Sequence, residues 1–450
     1  MTGRSMVEGA PWKHILRFAI PVLLGALLQQ LYTTADAVIV GNYAGQSALA
    51  AVGTTETFDF FLLTLSIGFS AGSGVIVAQC YGAGDNERLR ANASTGILLL
   101  LGLGVMASVL GIALSRTAFV YLVGVPDNIL DMTLLYFRIY AVALLFQYGY
   151  NICAAILRAV GDSAATLYFL VIASVINIGL DMLFVAHFHW GVAGAAVATA
   201  LAELGSFIAA YMYMMRKYPL FHFRLSEYTW SLAIAKKILT VGFPIALQMI
   251  IVSLGLTFIL RAANGFGHVM TASFAVGTRA EMYMNFPSHA FQTTLATYTG
   301  QNIGAGRMDR VRSGAVQALL MSLGVTLIIS GLVWWYADTI PDLFGLSDQA
   351  EAYCHDHLQT IALVNIILSA YVPLFGLFQG TNHTGIPTLV ATGALSVRVM
   401  VTYLFRYSVY FGHTIIWTNG LFGFGMGFLI TWSYYLSGRW RKNASLLDKS

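Results

Sequence analysis

The chain has 450 residues, of which 58% are hydrophobic and only 10% are charged, and its mean hydropathy is +0.72. Soluble globular proteins carry about a quarter charged residues, so this composition excludes that class and predicts an integral membrane protein. A net charge of +4 gives no sign of a nucleic-acid partner, and the three cysteines are too far apart for a disulfide framework or a zinc site.

Twelve apolar segments are long enough to cross a bilayer, since a transmembrane helix needs about 20 largely apolar residues. The first continues past the length of a signal peptide without a clear cleavage site, so we expect it to be retained. The fold class is therefore all-α, with twelve transmembrane helices. The predicted spans are 15–42, 52–80, 91–115, 132–158, 164–187, 191–215, 236–262, 270–301, 313–337, 353–380, 386–408 and 412–437.

The basic residues predict the orientation of these helices. An even number of spans puts both chain ends on one side, and most of the 24 lysines and arginines fall in the loops of that side or at the chain ends. Because cytoplasmic loops are enriched in Lys and Arg, we expect both termini in the cytoplasm and the chain in the cytoplasmic (inner) membrane. We also expect a monomer surrounded by lipid, with no nucleic-acid partner.

The sequence repeats itself after about 222 residues. The first span contains LRFAIPVLLGALLQQLY and the seventh LTVGFPIALQMIIVSLG, which pairs Pro21 with Pro244, and the later GAGD and GAGR turns match in the same way. Six helices per repeat is an even number, so two six-helix bundles related by a pseudo-two-fold axis along the membrane normal are expected. We predict an N-terminal lobe over 1–215, a cytoplasmic linker over 216–235 and a C-terminal lobe over 236–450.

Acidic side chains within the spans indicate function, because a charge at the centre of a bilayer costs roughly 2.5–3.5 kcal/mol. They belong to polar stripes on three helices of the first repeat, whereas Ile259 stands in the second repeat where Asp36 stands in the first. The stripes are Gln29, Tyr32, Thr33 and Asp36 on the first helix, Ser174, Asn177 and Asp181 on the fifth, and Thr199 and Glu203 on the sixth.

Two carboxylates that face each other in a low dielectric cannot both stay ionised cheaply. A pair formed by Asp36 and Asp181 would therefore bind a proton, or hold Na⁺ among carboxylate, amide and hydroxyl oxygens. A purely structural polar cluster is the alternative. Glu56 and Asp59, at the outer end of the second predicted span, are expected to be hydrated.

Three further features of the sequence require an interpretation. Arg398, inside the eleventh span, is either a charge that lines the substrate cavity or lies between the lobes, or a member of a buried pair. The other residues predicted to line the substrate cavity are Gln29, Tyr32, Thr33, Ser174 and Glu203. Pro21 is either a hinge or a bend that packing fixes. The glycine-rich GFSAGSGV segment of the second span is interpreted as a site of close helix packing.

These motifs resemble the multidrug and toxic compound extrusion (MATE) family, particularly its prokaryotic members. The resemblance covers nearly the whole chain, through LYTTAD and LAAVG, the GAGD and GAGR turns, LRAVGD, QGTNHTGIP and NIGLD. It implies export of cationic or amphipathic organic compounds in exchange for Na⁺ or H⁺, with two lobes rocking between inward- and outward-open states. No cofactor is implied beyond the coupling ion.

The resemblance also implies residue roles. Family members of this type hold the coupling ion with an Asp of the first helix and an Asn, an Asp and a Thr of the fifth and sixth, which match Asp36, Asn177, Asp181 and Thr199. Tyr32 matches a family tyrosine near that site. The chain departs from the family at Ala165–Thr166, where proline is frequent, and it lacks acids that some branches carry in the C-terminal lobe.

Two other function classes remain as alternatives. A lipid-linked oligosaccharide or lipid flippase of similar build would carry an anionic substrate, but only Arg138, Arg279 and Arg398 are basic residues within spans. A membrane enzyme has no support, because no pairing of a nucleophile with a base and no metal cluster is evident in the sequence. We therefore expect a transporter and not an enzyme.

Overall fold

Long helices build almost the whole chain. The structure is a computed structural model that describes residues 5–447, apart from the side chains of Thr57, Leu122 and Leu225, and within that range it contains no strand. Its helices are α1 (Pro11–Tyr43), α2 (Gln46–Ala83), α3 (Asn86–Thr117), α4 (Asp127–Ala159), α5 (Ser163–Asp181), α6 (Gly191–Lys217), α7 (Leu232–Asn264), α8 (His268–Gly304), α9 (Met308–Trp335), α10 (Thr339–Asp342), α11 (Asp348–Ser369), α12 (Val372–Gly380), α13 (Gly385–Phe405) and α14 (Ile415–Leu436).

The prediction of an all-α membrane protein is confirmed. Among the described residues, eleven segments are long and apolar enough to cross a membrane, with α11 and α12 counted as one segment. The remaining predicted span, the eighth (270–301), coincides with α8, whose 37 residues include more polar side chains. Several helices begin before the predicted boundaries; α2, for example, begins at Gln46 and not at residue 52.

The tenth predicted span, 353–380, is broken into two helices. α11 ends at Ser369, and α12 starts after Ala370 and Tyr371, with Pro373 in its first turn. Proline has no N–H to donate and its ring collides with the carbonyl four residues earlier, so a continuous helix is disfavoured here. The indole Nε1 of Trp432 donates to the freed carbonyl of Ala370 at 3.0 Å, which compensates for a lost backbone hydrogen bond.

The sequence repeat recurs in the backbone. Five pairs of residues separated by 221 or 222 positions have positive φ angles, the left-handed conformation that ends a helix or begins a turn. In four pairs both members are glycine, and in the fifth the second member is asparagine, which also tolerates this conformation. The pairs are Gly45/Gly267, Gly84/Gly306, Gly124/Gly345, Gly161/Asn382 and Gly191/Gly412.

Contacts divide the chain into two compact units. The first contains Leu24–Ala246, and the second contains Met6–Leu23 together with the described residues from Leu247 onward. α1 and α7 therefore each contribute to both units, and in each helix the division falls two residues after a proline, Pro21 or Pro244. The lobe and linker boundaries at 215 and 236 remain a prediction.

In the first unit, α2 and α7 pack closely through glycines. A Cβ atom added to Gly68 would lie 2.6 Å from the Cβ of Ala246, and one added to Gly72 would lie 2.7 Å from the backbone nitrogen of Gly242. Real Cβ atoms do not approach neighbours so closely, so the contact requires residues without a side chain. The interpretation of the GFSAGSGV segment as a packing site is confirmed.

The second unit incorporates the first part of α1 and the residues just before it, from Met6 onward. Ile15 and Phe18 are buried in one apolar cluster with Leu295 and Phe375. Before α1 begins, Met6 donates its backbone N–H to Oε1 of Gln301 at 2.8 Å. Hydrogen bonding therefore extends the contact beyond the apolar face of α1.

A buried carboxylate fixes the turn between α4 and α5. Asp162 is 8% exposed, and its Oδ2 accepts hydrogen bonds from Tyr213 (3.0 Å), Lys217 (2.8 Å) and Tyr218 (2.6 Å). Its Oδ1 accepts from the N–H of Ala165 at 3.3 Å and so caps α5. Burial raises the pKa of Asp162, but the hydrogen bonds and the charge of Lys217 outweigh this and lower the pKa below its ordinary value.

We expect Asp162→Asn to reduce the free energy of unfolding by about 1–3 kcal/mol at neutral pH, because charge-assisted hydrogen bonds are lost from a buried site. A lowered pKa means that this stabilisation is fully present above the unfolded-state pKa of about 4, and is lost as the pH falls through the folded-state value. Thermal unfolding of the purified protein at several pH values measures the difference.

Asp85→Asn is the matched control for the Asp162 variant. Asp85 caps α3 through the N–H of Arg88 at 2.9 Å, and its carboxylate is otherwise paired only at the surface. Asparagine caps a helix as well as aspartate does, so this variant should unfold at nearly the wild-type temperature. Equal effects of the two substitutions would contradict the role given to the buried network.

Candidate functional site

Two acids from different helices meet inside the first unit. Asp36 lies half-buried on α1, and Asp181 is fully buried at the last position of α5. Their carboxyl groups are close enough to interact directly. No lysine, arginine or histidine among the described residues forms an ion pair with either of them. Because no positive side chain pairs with these two carboxyl groups, their ionisation gives the site a negative electrostatic potential.

Asn177 and Thr199 extend this site. Asn177 lies one turn before Asp181 on α5 and is fully buried, and its Nδ2 donates to Oγ1 of Thr199 on α6 over a long distance of 3.4 Å. The hydroxyl of Thr199 donates to Ala195 on its own helix at 3.0 Å. With its proton engaged there, the Thr199 oxygen offers lone pairs to the site.

The oxygens at the centre of the site are short of donors. Within the described part of the chain, no hydrogen-bond donor reaches Oδ1 of Asp36, Oδ1 of Asn177 or either carboxylate oxygen of Asp181. Buried polar atoms in proteins are nearly always paired, so four unpaired oxygens in one place require an explanation. A bound cation or an added proton provides one, because each supplies the missing positive partner.

The helix after Asp181 is irregular. A π-helical turn, Met182–His187, follows α5 directly, so that Asp181 is the residue at which the helical hydrogen-bond pattern changes. π-helical turns are rare and occur frequently at functional sites. Nothing in the apolar sequence after NIGLD predicts this turn.

The members of the predicted substrate cavity are placed differently from one another. Tyr32 on α1 lies beside the hydroxyl of Thr199, with Glu203 of α6 among its charged neighbours. Ser174 is buried, but its hydroxyl donates to Leu170 on its own helix at 2.8 Å. Tyr32 and Glu203 therefore lie with the four site residues, whereas the hydroxyl proton of Ser174 points to its own helix and not into the site.

The other three predicted cavity residues lie elsewhere. Gln29 and Thr33 are exposed on α1, and the hydroxyl of Thr33 bonds to its own helix at Gln30. Arg398 belongs to the second unit, where its Nε donates to Oδ1 of Asn419 at 2.7 Å and its guanidinium lies 4.7 Å from the ring centre of Phe424. These contacts favour the interpretation of Arg398 as a member of a buried pair.

Sequence reasoning placed Asp59 wrongly and missed two tyrosines. Asp59 was expected to be hydrated near the outer end of its span, but α2 begins at Gln46, so Asp59 is the fourteenth residue of the helix. Its Oδ1 is buried and has no hydrogen-bond partner among the described residues. Tyr136 and Tyr140 of α4 stack with their ring centres 6.1 Å apart, and Asp59 interacts with both. Their spacing of four residues was the available signal.

The donor set selects the kind of ion. Among the described residues, no group of three or more His, Cys, Asp or Glu side chains could hold a metal. Two carboxylates, one amide and one hydroxyl are instead hard oxygen donors, which suit an alkali cation or a proton better than zinc or copper. The cluster is therefore a candidate site for one small cation.

Comparisons with known proteins identify the family. The MatE family model matches residues 21–183 and 244–404, one segment in each repeat. The chain belongs to the MatE family. It is 28% identical over 437 residues to the probable multidrug resistance protein YoeA of Bacillus subtilis, covering 94% of this chain and 93% of that protein. It is also 28% identical to the probable multidrug resistance protein YpnP of the same organism, covering all of both chains.

A solved structure has the same fold. The structure described as an outward-facing conformation of a multidrug resistance MATE family transporter matches with a TM-score of 0.90 at 24% identity, covering 97% of this chain and 98% of that one. The chain is therefore a multi-pass membrane protein of a transporter family whose curated relatives include probable multidrug resistance proteins and multidrug export proteins. This family is a class of transporters and not of enzymes.

Proposed function

We propose that this protein is an antiporter that exports cationic or amphipathic organic compounds in exchange for Na⁺ or H⁺. The observation that carries the proposal is the cluster of donor-poor oxygens contributed by Asp36, Asn177 and Asp181, with the Thr199 hydroxyl beside them. All four residues come from the first unit, and they are the residues that match the coupling site of the family.

The cluster has the properties that an exchanger needs. Without an ion, two neighbouring carboxylates repel each other in a low dielectric, so the free site is costly and binding of one positive charge is favourable. Binding relieves that repulsion and therefore favours one arrangement of α1 relative to α5 over another. A ligand shifts a conformational equilibrium only by its difference in affinity for the two states, and this repulsion provides such a difference.

The substrate class rests on charge and on relatives. YoeA and YpnP are named probable multidrug resistance proteins, and two staphylococcal relatives are named multidrug export proteins. In this chain, Tyr32, Tyr136, Tyr140 and Glu203 place aromatic rings and an acid next to the ion site. Aromatic faces and a carboxylate attract organic cations.

The flippase alternative is less favoured. An anionic headgroup requires basic side chains on its path, whereas the candidate site contains carboxyl groups and no arginine or lysine among the described residues that surround it. Arg398, the most buried of the three arginines within spans, already donates to Asn419.

We further propose that the protein works as a monomer in the cytoplasmic (inner) membrane with both termini in the cytoplasm.

Pro21 is proposed as a hinge in α1. Up to two residues after Pro21, α1 belongs to the second unit, and beyond that point it belongs to the first unit. A bend at Pro21 would therefore change the angle between these two parts of the helix. The missing hydrogen bond at a proline makes bending there inexpensive. Pro244 has the same position in α7.

Efflux from vesicles tests the proposed exchange. We expect purified protein in liposomes to move a fluorescent organic cation against its gradient when a Na⁺ or a pH gradient is imposed, and to stop when an ionophore collapses that gradient. Response to one gradient alone identifies the coupling ion. Transport that is indifferent to both gradients would refute antiport, and movement of a lipid-linked oligosaccharide without movement of the cation would favour the flippase.

A further inference from the structure

A groove lies between α4 and α6, away from the candidate ion site. Its volume is about 430 Å³, within the range of pockets that hold small ligands. Leu135, Val142 and Phe146 line it from α4, and Leu201 and Leu204 line it from α6. Apart from one arginine, all its lining residues are apolar.

The groove opens to the surroundings of the first unit. Leu135, Val142 and Leu201 are 48%, 47% and 42% exposed, which is unusual for residues in a concave apolar surface. On α6, Leu201 and Leu204 lie on a different face of the helix from Thr199 and Glu203, which border the ion site. In a membrane-spanning helix, such an outward apolar groove is open to lipid.

Arg138 is the exception in the lining. Its side chain is exposed, and its Nε donates to Oγ of Ser115, near the end of α3, at 3.2 Å. No acid forms an ion pair with Arg138 within the residues that the structure describes. An arginine inside a span ordinarily has an anionic or polar partner, and Ser115 engages only the Nε of Arg138, so the two terminal nitrogens are available to an anion from outside the chain.

The position of Arg138 along α4 fits a lipid headgroup. The 33 residues of α4 make a helix about 50 Å long, which exceeds the roughly 30 Å hydrocarbon core by about 10 Å at each end when centred. Arg138 is the twelfth residue, about 17 Å from the start, and therefore lies only some 7 Å inside the hydrocarbon boundary. Helix side chains lean toward the N-terminus, so the guanidinium reaches back toward the headgroups.

The groove and the arginine together match one type of molecule. From Leu135 to Phe146 the groove runs along α4 for about 16 Å, the direction in which acyl chains run in a bilayer. The planar guanidinium at its headgroup end binds phosphate oxygens in a bidentate manner. We propose that this groove is a binding site for an anionic phospholipid, with one acyl chain between α4 and α6 and the phosphate on Arg138.

Native mass spectrometry of the full-length protein in detergent tests this site with phosphatidylglycerol and phosphatidylcholine as probes. One basic residue near an anionic headgroup changes affinity about fivefold, so the first phosphatidylglycerol should bind about fivefold more tightly than the first phosphatidylcholine. Arg138→Gln should remove this preference, and Arg138→Lys should keep part of it. Leu201→Trp, which fills the groove from an exposed position, should weaken binding of both lipids.

Arg116→Gln is the matched control, because Arg116 is also exposed near the end of α3 but does not line the groove. It should leave the lipid preference unchanged, and thermal unfolding should confirm that each variant is folded. If Arg138→Gln kept the preference for phosphatidylglycerol, the proposal would be overturned. It would also be overturned if Arg116→Gln lost as much of this preference, because the preference would then reflect positive charge in general and not a site at Arg138. Unaltered binding in Leu201→Trp would place the lipid outside the groove and also overturn it.

Discussion

Asp181→Asn should abolish ion-driven efflux. A tenfold ion gradient supplies about 1.4 kcal/mol per ion, so a one-for-one exchange sustains up to about a tenfold substrate gradient, and this should fall to about one in the variant. The reason is that both oxygens of Asp181 lack donors in the described structure, so this side chain contributes two of the three buried carboxylate oxygens of the site that have no partner. Asparagine is similar in shape, but its amide does not take up a proton near neutral pH and carries no negative charge to attract Na⁺.

The vesicle assay with imposed Na⁺ and pH gradients measures this loss. Asp36→Asn should have the same effect, and the double variant should be no worse than either single variant, because both acids serve one ion. If each single variant kept part of the substrate gradient and only the double variant lost all of it, two independent ion sites would be indicated.

Ser174→Ala is the control on the same helix. Ser174 is buried on the stripe that also holds Asn177 and Asp181, but its hydroxyl donates to Leu170 and contributes nothing to the site. We expect efflux at nearly the wild-type rate. If Ser174→Ala lost gradient-driven transport while Asp181→Asn kept it, the assignment of the coupling site would be wrong.

The sequence predicted the elements of this site better than their surroundings. Helical spacing alone put Asn177 and Asp181 on one face of α5, because residues four apart always share a face. The meeting of that face with Asp36 and Thr199 depends on how three helices pack, and only the family resemblance indicated it. Packing is a tertiary property, which a helical period does not encode.

The errors have physical causes of the same kind. Asp59 was placed too close to the surface because the predicted span began at residue 52, whereas α2 begins six residues earlier with the polar Gln46 and Ser47. The break between α11 and α12 was missed because the segment around Pro373 is uniformly apolar, and hydropathy does not register a lost hydrogen bond. By contrast, GAGD and GAGR predicted matching turns correctly, since a positive φ angle strongly selects glycine.

A second large effect is expected from Gly376→Ala in the second unit. α12 is only nine residues long, and its residues Gly376 and Gly380 lie one turn apart against α8. A Cβ atom on Gly376 would overlap the backbone carbonyl oxygen of Gln292 and lie 2.9 Å from the backbone nitrogen of Ala296. Backbone atoms inside a helix cannot rotate away, so α8 and α12 must separate.

We expect this variant to lose about 3 kcal/mol of stability, at the upper end of overpacking effects, measured as a lower thermal unfolding temperature in detergent. Gly324→Ala is the matched control, because Gly324 lies within α9 and a Cβ atom there would meet no atom of the described residues within 4 Å. Alanine is the better helix former, so the control should be neutral or stabilising by up to about 1 kcal/mol.

The two substitutions are chemically identical but should change stability in opposite directions. In a membrane, apolar side chains gain little by leaving lipid for one another, so helices associate largely through close packing of small residues. A short helix such as α12 has few other contacts with which to compensate for a lost close approach to α8. Equal unfolding temperatures for the two variants would show that α12 is held by something other than this glycine contact.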